Sequence, residues 1–206
     1  MATSAQTPAS HRYTIVAILL HWLMALLIVW QIWVGIWMSG AIEDPATQAA
    51  AYDAFQFHKS LGLTLLVLAV LRLLWRLTHR FPPLPAHLPA WQQVAARLSH
   101  ILLYAFIVLI PLTGWLYVST GWNSAMGMAF QVPTIWFGLF EWPHIPGIEG
   151  SSALADVAIE MHQVMAFALI GLLVVHVAAA LKHHFGDRDY VLWSMLPIIS
   201  NPSKAD

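Results

Sequence analysis

Four long apolar runs, separated by shorter polar stretches, dominate the pattern of hydrophobic and polar positions along the chain. A helix needs about 20 mostly apolar residues to cross the hydrocarbon core of a bilayer, and each run has about that length. The pattern therefore predicts an all-α membrane protein, a four-transmembrane-helix bundle that forms a single domain over residues 1–206. The predicted helices cover residues 15–38, 57–77, 98–119 and 157–181.

The composition supports this prediction, because 59% of the residues are apolar and only 9% are charged. An ordinary soluble domain is about 45–50% apolar and about 25% charged. The formal net charge of −1 gives no sign of a nucleic-acid partner, which would need clustered Lys and Arg. Cysteine is absent, which excludes Cys-ligated iron–sulfur clusters and covalently attached c-type haem. The chain is nevertheless rich in histidine, with 11 residues of this type.

The charged residues divide between the two sides of the predicted bundle, and this division predicts its orientation. One side holds both termini, the second connection and the helix ends beside them, and its cationic residues are Arg12, Arg72, Arg76, Arg80, Arg97, Lys182, Arg188 and Lys204. Lys59 alone lies on the other side, where most of the acidic residues are Glu43, Asp44, Asp53, Glu141, Glu149, Asp156 and Glu160. Because Lys and Arg accumulate on the cytoplasmic side of membrane proteins, both termini are predicted to be cytoplasmic.

Four histidines within or beside the apolar runs occupy two depths in the predicted bundle. His162 and His176 are 14 residues apart, which places them on one face of the fourth helix and about 21 Å apart along its axis. His58 begins the second helix at the outer surface, whereas His21 lies about 9 Å into the first helix from its inner end. The four residues thus form an outer pair, His58 with His162, and an inner pair, His21 with His176. His100 is close to the inner surface and is the main alternative to His21 as the partner of His176.

Two imidazoles that face one another in a helical bundle are the axial ligands that a b-type haem needs. Ionisable residues inside a bilayer are costly and usually functional, so two stacked haems would explain both pairs. Gly62, Gly171 and the alanines at 178–180 lie near the predicted ligands and would leave room for a porphyrin. The alternative is that the histidines only form hydrogen bonds between helices, as polar residues in membrane bundles often do. Four histidines matched in depth favour haem.

Three further residues are candidates for binding the haems or their redox partners. Arg72 follows His58 by 14 residues, so it is predicted to point into the bundle and to pair with a propionate of the inner haem. The alternative for Arg72 is that its long side chain reaches the inner headgroups. Lys59 is a weaker candidate at the outer haem. His183 lies at the inner interface and is a candidate for binding a propionate, a quinone headgroup or a proton.

At these residues the sequence resembles the bacterial cytochrome b561 family, a group of four-helix dihaem membrane proteins related to hydrogenase cytochrome b subunits. The matching stretches are LHW around His21, FHKSLG around His58, LRLLWR from Leu71 to Arg76, MHQ around His162, and VHVAAALKHHFGDRD from Val175 to Asp189. The resemblance covers nearly the whole membrane portion. It implies a multi-pass protein of the bacterial inner (plasma) membrane with two haem b groups, and the iron ligands that it implies are His21, His58, His162 and His176.

The resemblance also implies a function, because some members of the family are similar to quinone-linked superoxide oxidases. It predicts transmembrane electron transfer from an outer donor, for which superoxide is one candidate, through both haems to ubiquinone. A second hypothesis is a haem-bearing membrane anchor for a partner dehydrogenase or hydrogenase, with a periplasmic redox partner on the outer loop 120–156. A third, a metal or proton transporter, lacks the broken helices expected of many such sites. The sequence leaves open whether the chain is itself an enzyme and whether His100 replaces His21.

Overall fold

The computed structural model describes residues 12–85, 88–123 and 127–197. Its helices are α1 (Ile15–Ala41), α2 (Gln48–Thr78), α3 (Ala90–Thr120) and α4 (Ser152–Lys182), followed by a π-helix (His183–Asp187) and a short 3-10 helix (Trp193–Met195). The four long helices are long and apolar enough to cross a membrane, which confirms the predicted membrane bundle. Lys204, one of the residues that predicted the orientation, lies outside the described ranges.

Three of the helices begin before the apolar runs that predicted them. The structure starts α2 at Gln48, α3 at Ala90 and α4 at Ser152, whereas the apolar runs start at residues 57, 98 and 157. Helical hydrogen bonding can continue outside the hydrocarbon core, because side chains and water satisfy the first N–H groups of a helix there. The Ser151 hydroxyl, for example, caps α4 by accepting a hydrogen bond from the Leu154 amide. Hydropathy therefore located the membrane spans but not the helical extensions.

The helices pack in chain order, α1 against α2, α2 against α3 and α3 against α4. A small buried cluster of Met24, Leu61, Leu65 and Ala69 joins α1 to α2, and apolar side chains of α3 cover part of it. Many other large apolar side chains on the helices are exposed. A helix that is apolar on all sides is typical of a membrane span, where lipid contacts the faces that neighbouring helices leave open.

The two ends of the bundle have different structures, and we name them by the segments that they hold. The terminal end holds the start of α1, the α2–α3 connection and the segment after α4, and there the Tyr13 amide donates to the Ser194 carbonyl at 3.2 Å. The hairpin end holds the α1–α2 connection 42–47, the segment 121–151 and the helix ends beside them. The first and last parts of the chain therefore meet at the same end of the bundle.

Two short antiparallel hairpins lie between α3 and α4, where the sequence predicted an outer loop. Their strands are β1 (Trp122–Asn123), β2 (Met128–Ala129), β3 (Thr134–Trp136) and β4 (Phe140–Trp142). Strand β1 pairs with β2, and β3 pairs with β4. In the turn of the second hairpin, Phe137 and Gly138 have φ angles of 44° and 76°. Such left-handed backbone suits glycine and is uncommon for phenylalanine, so contacts outside the turn must hold Phe137 there.

Those contacts come from α2, mainly through the buried side chain of Ser60. The Ser60 hydroxyl oxygen accepts a hydrogen bond from the Phe137 amide at 3.1 Å and lies 3.2 Å from the Ile135 carbonyl oxygen. One turn further along α2, the Thr64 hydroxyl accepts a hydrogen bond from the indole N–H of Trp136 at 3.1 Å. Ser60 is only 1% exposed, so water does not compete for these bonds. The second hairpin is thus attached directly to α2.

Replacing Ser60 with alanine should loosen the second hairpin, because the Phe137 amide loses its buried acceptor. An unsatisfied buried group costs about 1–3 kcal/mol, which corresponds to roughly 5- to 150-fold faster hydrogen exchange of the hairpin amides. Ser39→Ala is the matched control, since the Ser39 hydroxyl donates within its own helix, to the Ile36 carbonyl. Hydrogen exchange followed by mass spectrometry measures the difference. Equal exchange rates in the two variants would contradict the anchoring role.

Candidate functional site

Near the hairpin end, His58 of α2 and His162 of α4 face each other across the bundle. Their ring centroids are 6.2 Å apart and their ring planes are inclined at 66°. A bond from an imidazole nitrogen to a first-row metal ion is about 2 Å long, and the ring centroid lies about 1 Å behind that nitrogen. Two imidazoles on opposite sides of one metal ion therefore have centroids about 6 Å apart. The separation of the outer pair fits two axial ligands of one haem iron.

A hydrogen bond determines which nitrogen of His162 carries the proton. Nδ1 of His162 lies 2.8 Å from the carbonyl oxygen of Ile110, so Nδ1 is the donor and Nε2 of the neutral ring keeps its lone pair. Metal-binding histidines usually hold their second nitrogen in this way. Within the part of the chain that the structure describes, Nδ1 of His58 is buried without a hydrogen-bond partner. His162 is therefore arranged as a neutral nitrogen ligand.

Two glycines lie directly against these rings, one from each helix that supplies no histidine to the outer pair. A Cβ atom on Gly35 of α1 would lie 3.0 Å from Cε1 of His58. A Cβ atom on Gly114 of α3 would lie 3.1 Å from Cε1 of His162. Both distances are shorter than ordinary van der Waals contacts, and a close-packed interior transmits such strain to its neighbours. Only glycine at these two positions leaves the rings where they are.

The glycines singled out from the sequence, Gly62 and Gly171, have other surroundings. A Cβ atom on Gly62 would lie 3.3 Å from the side-chain nitrogen Nε2 of Gln31, whereas one on Gly171 would meet no described atom within 4 Å. That Gln31 nitrogen donates a hydrogen bond to the backbone carbonyl of His58 at 2.8 Å. Gly62 therefore makes room for a side chain that joins α1 to α2, and the contacts on the rings come from Gly35 and Gly114.

Near the terminal end, three histidines and one arginine come together. The ring centroid of His176 on α4 lies 6.3 Å from that of His21 on α1 and 5.8 Å from that of His100 on α3. Nη2 of Arg72 on α2 donates to Nδ1 of His21 at 3.2 Å, and Nη1 donates to the Ala17 carbonyl at 3.2 Å. His100 is at the level of His21 because α3 begins at Ala90. Arg72 lies inside the bundle beside these rings.

The contact with Arg72 gives His21 a different proton arrangement from that of His162. Because a guanidinium group only donates hydrogen bonds, Nδ1 of His21 is the acceptor and Nε2 carries the proton. An iron bond through Nε2 requires the proton to be on Nδ1 instead. Arg72 must therefore turn away before His21 can bind iron in this way. Among the described residues, the ring of His100 makes no hydrogen bond that would impose the same requirement.

Neighbouring groups hold Lys59 and His183, the other two residues that the sequence singled out. The Lys59 ammonium donates to the Pro133 carbonyl at 3.1 Å, so it points towards the second hairpin. Nδ1 of His183 lies 2.7 Å from a carboxylate oxygen of Asp189 and 3.2 Å from one of Asp187. These contacts fix the orientation of the His183 ring at the terminal end. The structure thus brings Arg72 to the inner histidines and directs Lys59 away from the outer pair.

All four helices supply these groups at one sequence interval. On each helix the two residues are 14 positions apart, and they are His21 and Gly35, His58 and Arg72, His100 and Gly114, and His162 and His176. Fourteen residues are nearly four helical turns, so both members of each couple project from the same face at levels about 21 Å apart. We call the residues near the hairpin end the outer level: Gly35, His58, Gly114 and His162. The residues near the terminal end form the inner level: His21, Arg72, His100 and His176.

Spanning helices that bring histidines together in facing pairs have the arrangement of a membrane cytochrome of the b type. The sequence pattern of the prokaryotic cytochrome b561 family matches residues 12–197, and the chain belongs to that family. It is 33% identical over 191 residues to cytochrome b561 homolog 2 of Escherichia coli (strain K12), and the matched region is 92% of this chain and 94% of the relative. It is 26% identical over 189 residues to the probable superoxide oxidase CybB of Yersinia pestis, and the matched region is 90% of this chain and 96% of that protein.

Family membership confirms the resemblance found in the sequence and three of its implications. The chain is a multi-pass protein of the bacterial inner membrane, since it has four helices able to span a bilayer and belongs to a prokaryotic membrane family. Its cofactor is a b-type haem, and its activity is electron transfer within the membrane.

Proposed function

We propose that the chain carries electrons across the membrane through two b-type haems, from a donor at the hairpin end to a quinone at the terminal end. His58 and His162 hold the outer haem, and His21 and His176 hold the inner one. The observation that carries this proposal is the ring separation of 6.2 and 6.3 Å in the two pairs, which is what two axial ligands of one iron need. The bound haems supply the one-electron chemistry, and the protein supplies the iron ligands, the position of each haem in the membrane and the charges around it.

Arg72 connects the binding of the inner haem to the protonation of its ligand. A guanidinium group binds a carboxylate through two parallel hydrogen bonds, so a haem propionate is a stronger partner for Arg72 than the neutral ring of His21. With Arg72 paired to a carboxylate in this way, Nδ1 of His21 would be free to carry the proton and Nε2 would keep its lone pair as a metal ligand. His100, which faces His176 from α3, is the alternative ligand at this level.

The terminal end is the side on which we place the quinone. Reduction of a quinone to a quinol takes two electrons and two protons, so this end needs a group that passes protons as well as a haem. His183 is such a group, because an imidazole ring can accept a proton on one nitrogen and donate one from the other, and this ring is held in place by Asp189 and Asp187. Lys59 contributes at the opposite end, where its bond to Pro133 keeps the second hairpin beside the outer level.

The experiment that tests this function measures cofactor content and electron flow on the same purified sample. A pyridine haemochrome assay should give about two b haems per chain, one for each histidine pair. Superoxide is the first donor to test, because one relative is named a probable superoxide oxidase. It should reduce the haems, and added ubiquinone should reoxidise them. A content of one haem or none would contradict the two-level assignment, and haems that quinone cannot reoxidise would overturn the acceptor.

A second candidate function is that of an electron-transfer subunit that anchors a partner dehydrogenase or hydrogenase. The observation that favours it is the exposure of large apolar side chains on the second hairpin, where Leu139 is 74% exposed and Phe140 is 48% exposed. Exposed apolar patches often mark protein interaction sites. In this case the haems of the isolated chain should fail to react with superoxide, and an outer redox protein should co-purify and reduce them.

A further inference from the structure

The hairpin end of the bundle is strongly acidic. It carries seven carboxylates, and the structure shows all seven residues exposed: Glu43, Asp44, Asp53, Glu141, Glu149, Asp156 and Glu160. Lys59 is the only Lys or Arg at this end, and it is half-buried with its ammonium bound to the Pro133 carbonyl. Residues 124–126, which fall outside the described ranges here, carry no charge. The hairpin end therefore carries seven exposed carboxylates and one ammonium group.

Neighbouring side chains do not neutralise this surface. Within the described residues, the salt bridges lie at the terminal end, where Lys182 and His183 contact Asp187 and Asp189. At the hairpin end, the Asp44 carboxylate does accept a hydrogen bond from the Ala46 amide, but that bond leaves its charge in place. The acidic surface therefore keeps a net negative charge that extends into the surrounding water.

Membrane topology does not explain why these carboxylates are present. The orientation of a membrane protein depends on Lys and Arg, whereas Asp and Glu contribute little to it. Keeping Lys and Arg away from the hairpin end is therefore sufficient for orientation, and the seven carboxylates are an additional feature. Like charges on one face repel each other, so such a surface carries a cost that a positively charged partner would remove.

Four of the carboxylates lie on the elements that hold or contact the outer level. Asp156 and Glu160 lie on α4 in the two turns before His162, and Asp53 lies on α2 just before the turn that holds His58. Glu141 lies on β4, in the hairpin that is attached to α2. A molecule that delivers electrons to the outer pair from the water phase must pass through this field.

We propose that the hairpin end docks a positively charged, water-soluble electron donor, namely a small basic redox protein. This inference rests on the proposed function and names its donor class. In each encounter one electron leaves the donor and enters the membrane protein, and no bond or proton moves. The exposed apolar side chains Leu139 and Phe140, next to Glu141, give a protein partner contact area that a simple cation would not need. An anionic donor such as superoxide is repelled by the same surface.

The salt dependence of the reaction distinguishes these donor classes. Attraction between opposite charges can raise an association rate from about 10⁵–10⁶ to as much as about 10⁸–10⁹ M⁻¹s⁻¹ at low salt, and added salt removes the gain. The probe of docking is a basic c-type cytochrome. Its oxidised form is mixed with the reduced holoprotein by stopped flow, because electron transfer in either direction requires the same encounter at this surface. The rate should fall at least about tenfold between low salt and about 0.3 M salt. The rate of reduction by superoxide should instead rise over the same range, because salt screens the repulsion.

Matched variants then connect this dependence to the acidic surface. The variant Glu149→Gln/Asp156→Asn/Glu160→Gln removes three charges and should flatten the salt dependence, while Glu149→Asp/Asp156→Glu/Glu160→Asp keeps the charges and should preserve it. Haem content and reoxidation by ubiquinone are measured on every sample. A flat salt dependence in the unmodified protein, with intact haems and normal reoxidation by quinone, overturns the donor class alone and shows that the carboxylates only keep this end hydrated. Loss of haem or of quinone reactivity in the unmodified protein overturns the proposed function itself.

Discussion

Replacing His176 with alanine should remove the inner haem and lower the haem content from about two to about one per chain. His176 is the residue that both candidate partners face, since the rings of His21 and His100 lie 6.3 and 5.8 Å from it. The haem that remains should be the outer one, because His58 and His162 are unchanged. Reduction of quinone should then fall to background, since electrons that reach the outer level have no route onward. Pyridine haemochrome assays and quinone reduction kinetics measure the two effects.

Two further alanine variants decide which histidine is the partner of His176. His21→Ala should lose one haem as His176→Ala does, and His100→Ala should keep both. The reverse result, in which His100→Ala loses a haem and His21→Ala does not, would show that the inner pair is wrongly assigned. A His176→Ala protein that still contains two haems would remove His176 from the ligand set altogether.

Replacing Gly114 with alanine should weaken binding of the outer haem, even though alanine adds only one methyl group. The new Cβ would lie 3.1 Å from Cε1 of His162, so the ring must move away from its hydrogen bond with Ile110. Overpacking of this kind costs about 1–3 kcal/mol, which corresponds to roughly 5- to 150-fold weaker haem binding. Competition with a haem-free acceptor protein measures the loss. Gly35→Ala should act in the same way on His58, where the Cβ would lie 3.0 Å away.

The chain contains its own control for this effect in Gly171, on the same helix as His162. A Cβ atom at Gly171 would meet no described atom within 4 Å, so alanine there adds no strain at either level. Alanine also favours helix formation over glycine by about 1 kcal/mol, so Gly171→Ala should leave haem binding unchanged and raise thermal stability slightly. If Gly114→Ala and Gly171→Ala bind haem equally well, the glycine contacts do not position the ligands.

The membrane architecture and the grouping of the histidines could be predicted from the sequence because each depends on a regular interval. Apolar runs long enough to span a bilayer gave four helices, and the interval of 14 residues gave His162 and His176 a common face. The same interval separates His58 from Arg72, and the structure places Arg72 beside His21, at the level that its spacing predicted.

Other parts of the site could not be predicted, because their signal is a missing side chain or a long-range contact. Gly35 and Gly114 follow His21 and His100 by the same 14 residues, yet a glycine offers no chemistry that draws attention to its position. The apolar run begins eight residues after the start of the helix at Ala90, so the sequence pattern alone does not show that His100 faces His176. The two hairpins depend on contacts such as the one between Ser60 and Phe137, which no local pattern encodes.

The contribution of α4 to both levels has a consequence for how the protein is made. His162 and His176 both lie on this helix, so neither facing pair exists until the last membrane span has left the ribosome and entered the bilayer. The segment after α4 is made later still, and its Ser194 carbonyl accepts the hydrogen bond from the Tyr13 amide that closes the terminal end. With the proposed ligands, haem loading is a late event in biogenesis, and a chain interrupted before α4 would insert into the membrane as a bundle with neither pair.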